Sequence, residues 1–214
     1  PEYSWNFDLG FRGSFGRSRG KYDLALFYNI LDGFIENAPS ELPDVDFTFQ
    51  NTDATIWGGE LSASYRLDHI FRKSNSLAFG IGAAYVYGTD RSEGNNAPLF
   101  GIPPLNISLD IKYHGFINKP WIIGYFISCN AGYAAAQNRV PPVPEGTDGG
   151  PWGYVSSDPH LVFDISLGIN ANTLPGSPKL RLIINNILNT DYQPFGSYIQ
   201  AMGRNIKLLL DFHF

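Results

Sequence analysis

The sequence predicts an all-β fold, an antiparallel segment of a transmembrane β-barrel with about nine strands. Apolar and polar residues alternate with a period of two along nine stretches of the chain, which is typical of strands with one apolar face. Most stretches exceed the roughly 5–6 residues of ordinary strands and approach the roughly 9–11 that a membrane-spanning strand needs. Short and long connections alternate between them, as in outer-membrane barrels.

The C-terminal stretch shows the alternation plainly. In residues 203–214, GRNIKLLLDFHF, the side chains of Ile206, Leu208 and Leu210 alternate with mostly polar ones. Glycines and prolines are scattered through the whole chain, and no long segment keeps the 3.6-residue period of a helix. In chain order, the predicted strands lie at 5–12, 22–30, 57–68, 77–87, 105–114, 123–133, 161–170, 179–184 and 203–214.

The connections between predicted strands sort by length and by charge. The short turns hold five arginines or lysines and no acid, whereas the first long region, which starts at Glu36, holds four acids and no base. Tight periplasmic turns and long extracellular loops would explain the two lengths. The predicted short turns are 16–20, 69–75, 115–120 and 173–178, and the predicted long loops are about 37–51, 89–103, 139–159 and 194–204.

Composition excludes several classes of protein. The net charge of −5 leaves no electrostatic footprint for a nucleic-acid partner. The single cysteine, Cys129, excludes an internal disulfide and is expected on the lipid face. No run of about 18 apolar residues predicts a membrane-spanning helix, a test that alternating strands escape. The chain starts at Pro1 without a signal peptide and is expected to be a mature chain or a fragment.

Aromatic residues concentrate toward the predicted strand ends, among them Trp57, Tyr87 and Tyr113. Rings at these levels suit the two membrane interfaces, because each has an apolar body and a polar tip. The alternative explanation is the general preference of aromatic residues for strands.

Six segments carry a family resemblance. They are PEYSWNFDLGFRGSF, YDLALFYNILDGFI, FQNTDATIWGGELSASYRL, PLFGIPPLNISLDIKY, LRLIINNILNTDYQ and MGRNIKLLLDFHF. In this order they resemble the C-terminal part of a TonB-dependent outer-membrane receptor. The resemblance implies that residues 1–214 form the last nine strands of a 22-stranded barrel in the bacterial outer membrane, in contact with its lipid.

The resemblance also implies partners and a function. Receptors of this family have an N-terminal plug domain and a segment that contacts TonB, and because neither is in this sequence the chain is expected to be a fragment. The terminal aromatic Phe214 implies recognition by the barrel-assembly machinery. The expected function is energised uptake of a metal chelate such as a ferric siderophore, without a cofactor. The ligand, the oligomeric state and independent folding stay open.

Two groups of residues are candidate sites. Glu60 matches the glutamate of the family's GvE motif and is expected to face the lumen and the plug; the alternative is a solvated carboxylate paired with Arg66. Polar positions of other strands are expected to line the same lumen. These positions are Asp110, Lys112, Asp164, Arg181 and Lys207, and Arg66 on the strand of Glu60 is expected to face the lumen as well.

The second group lies on the long loops, where a ligand would be recognised. Trp152 and Tyr154 offer flat surfaces for a siderophore, corrinoid or sugar, and Arg139 offers a bidentate contact to an anion. Tyr198 and Arg204 flank the last loop. The alternative is that these five are ordinary loop residues.

Other function classes receive less support. The four histidines are isolated, and HExxH, GxSxG and P-loop motifs are missing, so neither an enzyme nor a direct metal site is predicted. A passive outer-membrane porin or small barrel is the main alternative. A soluble β-sandwich that binds carbohydrate is less favoured, and an outer-membrane hydrolase is favoured least.

Overall fold

The computed structural model describes residues 2–39, 47–92, 96–117, 119, 122–141, 155–171 and 178–212. These residues form ten β-strands, and they contain no helix that is long and apolar enough to cross a membrane. The strands are β1 (Tyr3–Phe15), β2 (Gly20–Pro39), β3 (Phe47–Asp68), β4 (Ser76–Asp90), β5 (Ala97–Pro98), β6 (Asn106–Phe116), β7 (Gly124–Ala134), β8 (His160–Asn170), β9 (Lys179–Asn185) and β10 (Asn205–Asp211).

Each long strand pairs antiparallel with the next long strand along the chain, in the order β1-β2-β3-β4-β6-β7-β8-β9-β10. This meander confirms the predicted all-β fold and its nine long strands. The sequence does not predict the two-residue β5, which pairs with the end of β4 and places Pro98 opposite Thr89. Within the described residues no pairing joins β1 to β10, so the sheet is open and each of these strands presents an edge.

The connections alternate in length as predicted, with one correction. Short turns follow β1, β3, β6 and β8, and longer connections follow β4, β7 and β9. The predicted loop at about 37–51 is wrong in part, because β2 and β3 stay paired as far as Pro39 and Phe47. Glu36, predicted at the start of a loop, therefore lies in β2.

A β-bulge explains why the sequence pattern does not predict that β2 and β3 continue beyond Leu31. The register of β2 against β3 shifts between Leu31 and Phe34, where Gly33 takes a φ of +69° and donates its N–H to Asp53 Oδ1 at 3.1 Å. Past the bulge the hairpin rises beyond the apolar band, so the alternation that sets the two faces is no longer required. The strands continue there without the pattern that predicts them.

The register collects apolar side chains on one face of the sheet. One row crosses six strands without a polar interruption. It runs through Phe79, Ile111, Cys129, Ile165, Ile184 and Ile206. Cys129 therefore lies on the apolar face, as predicted. The residues between these, on the opposite face, are mostly polar or small.

The apolar face has no layer of protein against it. Among the described residues only three hydrophobic side chains are buried, those of Ala54, Leu99 and Ala134. On β10, Leu208 is 68% exposed. Fully burying a leucine side chain is worth about 1.5–3 kcal/mol, so a single sheet with this face in water would forgo most of its hydrophobic stabilisation. The described chain is not the two-layered sandwich of the soluble alternative, and lipid is the solvent that suits this face.

Aromatic rings border the apolar face at two levels. Near the long loops, Trp57 lies opposite Tyr87, with ring centroids 5.3 Å apart. Near the short turns, Tyr65 stacks on Phe15 at 5.7 Å. Trp57 and Tyr65 lie on the same face of β3, and the nine residues from one to the other match the roughly 9–11 residues of a tilted membrane-spanning strand. The two levels mark the limits of the apolar band.

A charge placed on either face of β6 tests the assignment of the faces. Leu109→Arg puts a guanidinium in the middle of the apolar face, and we expect it to lower the free energy of unfolding in a bilayer by about 2–4 kcal/mol. The matched control is Ser108→Arg, one residue away on the polar face, which should cost less than about 1 kcal/mol. Urea titration of the protein in phosphatidylcholine vesicles measures both. Equal losses would contradict the assignment.

Candidate functional site: the polar face and the long-loop end

Two of the predicted lumen carboxylates belong to one register row of the polar face. Asp110, Asn130 and Asp164 lie opposite one another on β6, β7 and β8. The Asn130 side-chain amide donates to Asp110 Oδ1. Asp164 Oδ1 accepts the backbone N–H of Asn186 at 2.8 Å. These hydrogen bonds hold the carboxylates of Asp110 and Asp164 in place near the centre of the polar face.

Two cations of the polar face share one aromatic ring. Lys112 Nζ lies 4.8 Å and Arg181 Cζ lies 5.7 Å from the centre of the Phe126 ring. The ring occupies the space that a side chain at Gly168 would fill. Contacts of this kind are worth about 0.5–1 kcal/mol at exposed sites, and they hold both cations on the lumen side. The predicted position of Arg181 on the polar face agrees with the register.

A concavity of the polar face contains Glu60. It is a cavity of about 870 Å³, and its lining also includes Asn106, Ser108 and the ion pair of Arg12 Nε with Asp23 Oδ2 at 2.6 Å. Glu60 is exposed, and within the described residues its carboxylate has no hydrogen bond or ion pair. The carboxylate is therefore available to a group that enters the cavity.

The suggested pairing of Glu60 with Arg66 is wrong. Arg66 Nε instead lies 3.0 Å from Asp68 Oδ1. Glu60 and Arg66 lie on the same strand, six residues apart, which is about 20 Å at about 3.3 Å per residue. Their side chains share a face but are too far apart to meet.

Sequence reasoning missed the other wall of this cavity. His160 and Tyr192 stack with ring centroids 4.2 Å apart, and both line the cavity. His160 Nδ1 is buried without a hydrogen-bond partner. The two residues meet because the β9–β10 connection folds back over the start of β8, where Thr190 Oγ1 donates to the Leu161 carbonyl at 3.2 Å. No local sequence pattern reports a contact between two such distant segments.

Arg139, a predicted ligand contact, has its guanidinium engaged within the protein. Its Cζ lies 4.0 Å from the centre of the Tyr87 ring. The same group donates to the Gly88 carbonyl and, at 3.2 Å, to Thr89 Oγ1. These contacts fasten the β7–β8 connection to the end of β4. Direct binding of an anion by Arg139 stays a prediction.

A buried carboxylate lies beneath the long connection between β4 and β6. Glu36 is 7% exposed, and its Oε1 accepts the backbone N–H of Phe100 at 2.7 Å. Burial raises the pKa of the Glu36 carboxyl above its usual range; the Phe100 N–H partly offsets this, and the charge of Asp90 adds to it. Glu36 therefore ties the β2–β3 hairpin, above the apolar band, to the next loop.

Asn186 organises the connection between β9 and β10. It is 3% exposed, its Nδ2 donates to the Thr190 carbonyl at 2.8 Å, and its Oδ1 accepts the Thr190 N–H at 2.8 Å. Arg204, a predicted ligand contact, closes the same loop, since its Nε donates to the Ile187 carbonyl at 2.9 Å. The motif INNILNTDY is thus a structural turn that fixes where the last loop starts and ends.

A second cavity, of about 320 Å³, lies between the last two long connections, and Tyr198 lines it. Asp158 and Asp191 contribute carboxylates, and Phe195 contributes a second ring. No lysine or arginine of the described chain lines this cavity. Three of the five predicted loop residues are described, and of these three only Tyr198 lines the cavity. Trp152 and Tyr154 lie outside the described residues, as does Phe214.

Comparison with known proteins identifies the family. The chain matches the family model described as "TonB dependent receptor-like, beta-barrel" over residues 1–187. The chain belongs to this family. TonB-dependent receptor barrels are bacterial outer-membrane proteins, which confirms the predicted location and explains the uncovered apolar face. No curated protein sequence matches the chain.

Solved structures of TonB-dependent receptors share the fold. The copper transporter OprC superposes with a TM-score of 0.79 at 21% identity, over 100% of this chain and 32% of that one. The FrpB iron transporter from Neisseria meningitidis gives a TM-score of 0.66 at 17% identity, over 97% and 30%. The ferric-catecholate import receptor Fiu from K12 E. coli gives 0.65 at 18% identity, over 100% and 28%.

At these identities the likeness is one of fold. The chain spans about a third or less of the length of each of the three structures. The family and these structures are receptors and transporters rather than enzymes. Within the described residues no three His, Cys, Asp or Glu side chains form a group that could hold a metal ion.

The raised pKa of Glu36 predicts a pH dependence. Because the folded-state pKa lies above the unfolded value near 4.5, the stabilisation from this group is fully present below that value and is lost as the pH rises through the folded-state pKa. Glu36→Gln keeps an acceptor for the Phe100 N–H and removes the buried charge. We expect the variant to be at least as stable as the wild type near pH 7 and to lose this part of the pH dependence.

Thermal unfolding between about pH 4 and about pH 8 measures this effect. The control is Glu2→Gln, which removes an exposed carboxylate and should leave the pH profile unchanged. A Glu36→Gln variant that is less stable than the wild type at neutral pH would show that the ionised carboxylate is the stabilising form.

Proposed function

We propose that this chain is the C-terminal part of the barrel of a receptor that imports a metal chelate, such as a ferric siderophore, with energy delivered through TonB. In this proposal the chain supplies the last nine strands of a 22-stranded barrel. The open edges of β1 and β10 then pair with strands outside this sequence, because unpaired backbone groups in lipid cost several kcal/mol each.

The observation that carries the proposal is the two-faced sheet of a TonB-dependent receptor. One face is apolar and uncovered, and the other bears a cavity of about 870 Å³ with exposed polar groups. The similar structures, over nearly the whole of this chain, are named as a copper transporter, an iron transporter and a ferric-catecholate import receptor. Transport of a metal is what these names share, and the third name adds import of a chelate.

The polar face is the surface that a plug domain of the same protein would contact. Glu60 is exposed there and, in the described chain, makes no ion pair, so we assign it to a polar contact with the plug or with a passing ligand. Asp110, Asp164 and Arg181 are held by their neighbours and shape the wall around it. Arg66 lies nearer the short turns, paired with Asp68.

The ligand would first meet the long-loop end. There Tyr198 and Phe195 offer ring surface, and Asp158 and Asp191 offer negative charge. A chelate that is neutral or cationic fits this lining better than a strongly anionic one, since no cation of the described chain lines the cavity. Arg139, Trp152, Tyr154 and Arg204 complete the proposed loop surface. Recognition by the assembly machinery through Phe214 is part of the same proposal.

Uptake by cells that carry or lack the intact gene tests the function. We expect cells with the gene to accumulate radioactive iron from a neutral ferric siderophore, and a protonophore or loss of TonB to abolish that accumulation. Uptake that persists without TonB would support the passive porin instead. Uptake of copper but not iron under the same conditions would keep the energised importer and change its metal.

Tyr198→Ala tests the role of the long-loop cavity. Loss of one ring from the lining should weaken binding of the chelate to whole cells by about tenfold, since stacked aromatic contacts are worth about 0.5–1.5 kcal/mol beyond their buried area. The matched control is Ile199→Ala, the neighbouring exposed residue outside the lining, which should bind as the wild type does. Equal effects of the two variants would remove the cavity from the ligand path.

A further inference from the structure

The apolar face carries a deep groove at its short-turn end. Its volume is about 950 Å³, within the range that accommodates small-molecule ligands. One register row forms its floor. The row runs through Tyr113, Ile127, Leu167, Leu182 and Leu208. Because this face contacts the bilayer, the occupant of the groove is a membrane component.

The rim of the groove is polar at its short-turn end. Asn75, which is 4% exposed, donates to Tyr113 Oη at 2.5 Å, and the Tyr125 ring lies beside the Tyr113 ring, with centroids 5.9 Å apart. Arg72 lines the groove together with these two tyrosines. No carboxylate of the described chain lines it. A positively charged rim above an apolar floor matches a molecule with an anionic head and an apolar tail.

The turn above this rim presents an unusual phenylalanine. Phe71 is 90% exposed and has a φ of +61°, a left-handed conformation that is costly for a bulky side chain. Its ring leans over the apolar face, with its centroid 6.4 Å from that of Tyr113 in an edge-to-face arrangement. While it is exposed to water, the Phe71 ring contributes no hydrophobic stabilisation that would offset the strain of this turn. Insertion of the ring into lipid, beside the exposed Arg72 and Lys73, would remove it from water and stabilise it.

The position of the groove at the short-turn end indicates which leaflet of the membrane it faces. Short turns of outer-membrane barrels face the periplasm, so the groove opens at the level of the inner leaflet's headgroups. Arginine binds phosphate oxygens bidentately. Each basic residue near a membrane surface favours anionic over neutral lipid by about fivefold.

We propose that this groove binds one anionic phospholipid of the periplasmic leaflet, with its phosphate on Arg72 and an acyl chain along the row from Tyr113 to Leu208. Phe71 covers the glycerol backbone from the turn side. The site orders one lipid at the β3–β4 turn and fixes the depth of this part of the barrel.

Native mass spectrometry of the protein purified from outer membranes in detergent tests the proposal. With equimolar phosphatidylglycerol and phosphatidylethanolamine added, we expect the wild type to retain phosphatidylglycerol with a preference of at least about fivefold. Arg72→Gln should bring this preference close to one. The matched control is Arg17→Gln, an exposed basic residue in another short turn outside the groove, which should keep the wild-type preference.

Phe71→Gly separates lipid binding from folding. Glycine adopts a φ of +61° without strain, so the variant should unfold in detergent at the wild-type temperature or above it. The same variant should retain phosphatidylglycerol at least about threefold less well, since a ring that covers the lipid is gone. Equal retention of the two lipids by the wild type, a wild-type preference in Arg72→Gln, or wild-type retention of phosphatidylglycerol in Phe71→Gly would each overturn the proposal.

Discussion

The structure depends on one constraint: a single sheet must keep most of its large apolar side chains on one face. The register does this across nine long strands, and a slip of one residue anywhere would turn a whole strand's apolar set toward the lumen. With only three buried hydrophobic side chains in the described residues, packing within the protein cannot replace lipid as the stabilising surroundings. The outer membrane is thus part of the fold's energetics.

The opposite face is free of that constraint and bears the carboxylates and cations described above. Its carboxylates and cations are held by short contacts, such as Asp164 with the Asn186 N–H, while Glu60 is left available in the cavity. The long-loop end is fastened from below by Glu36 and Arg139, which join successive connections to the strand ends. In the proposed importer, these contacts set the positions of the connections that are proposed to recognise the ligand.

The sequence predicts the part of the fold that the membrane dictates. The nine long strands, the order of their connections and the position of Cys129 follow from period-two alternation, which lipid on one side and water on the other impose. The hairpin beyond Leu31 escapes prediction because both of its faces lie outside the apolar band. The His160–Tyr192 stack and the groove under Phe71 escape it too, since each joins segments that only the register brings together.

The most direct test of this account is spin-label accessibility along β6, on a background in which Cys129→Ser removes the native thiol. Labels placed one at a time from 107 to 112 in the membrane-embedded protein report their exposure to oxygen, which dissolves in lipid, and to a water-soluble nickel complex. The account predicts strict alternation, with 107, 109 and 111 accessible to oxygen and 108, 110 and 112 accessible to nickel. Uniform access of nickel to all six positions would contradict it.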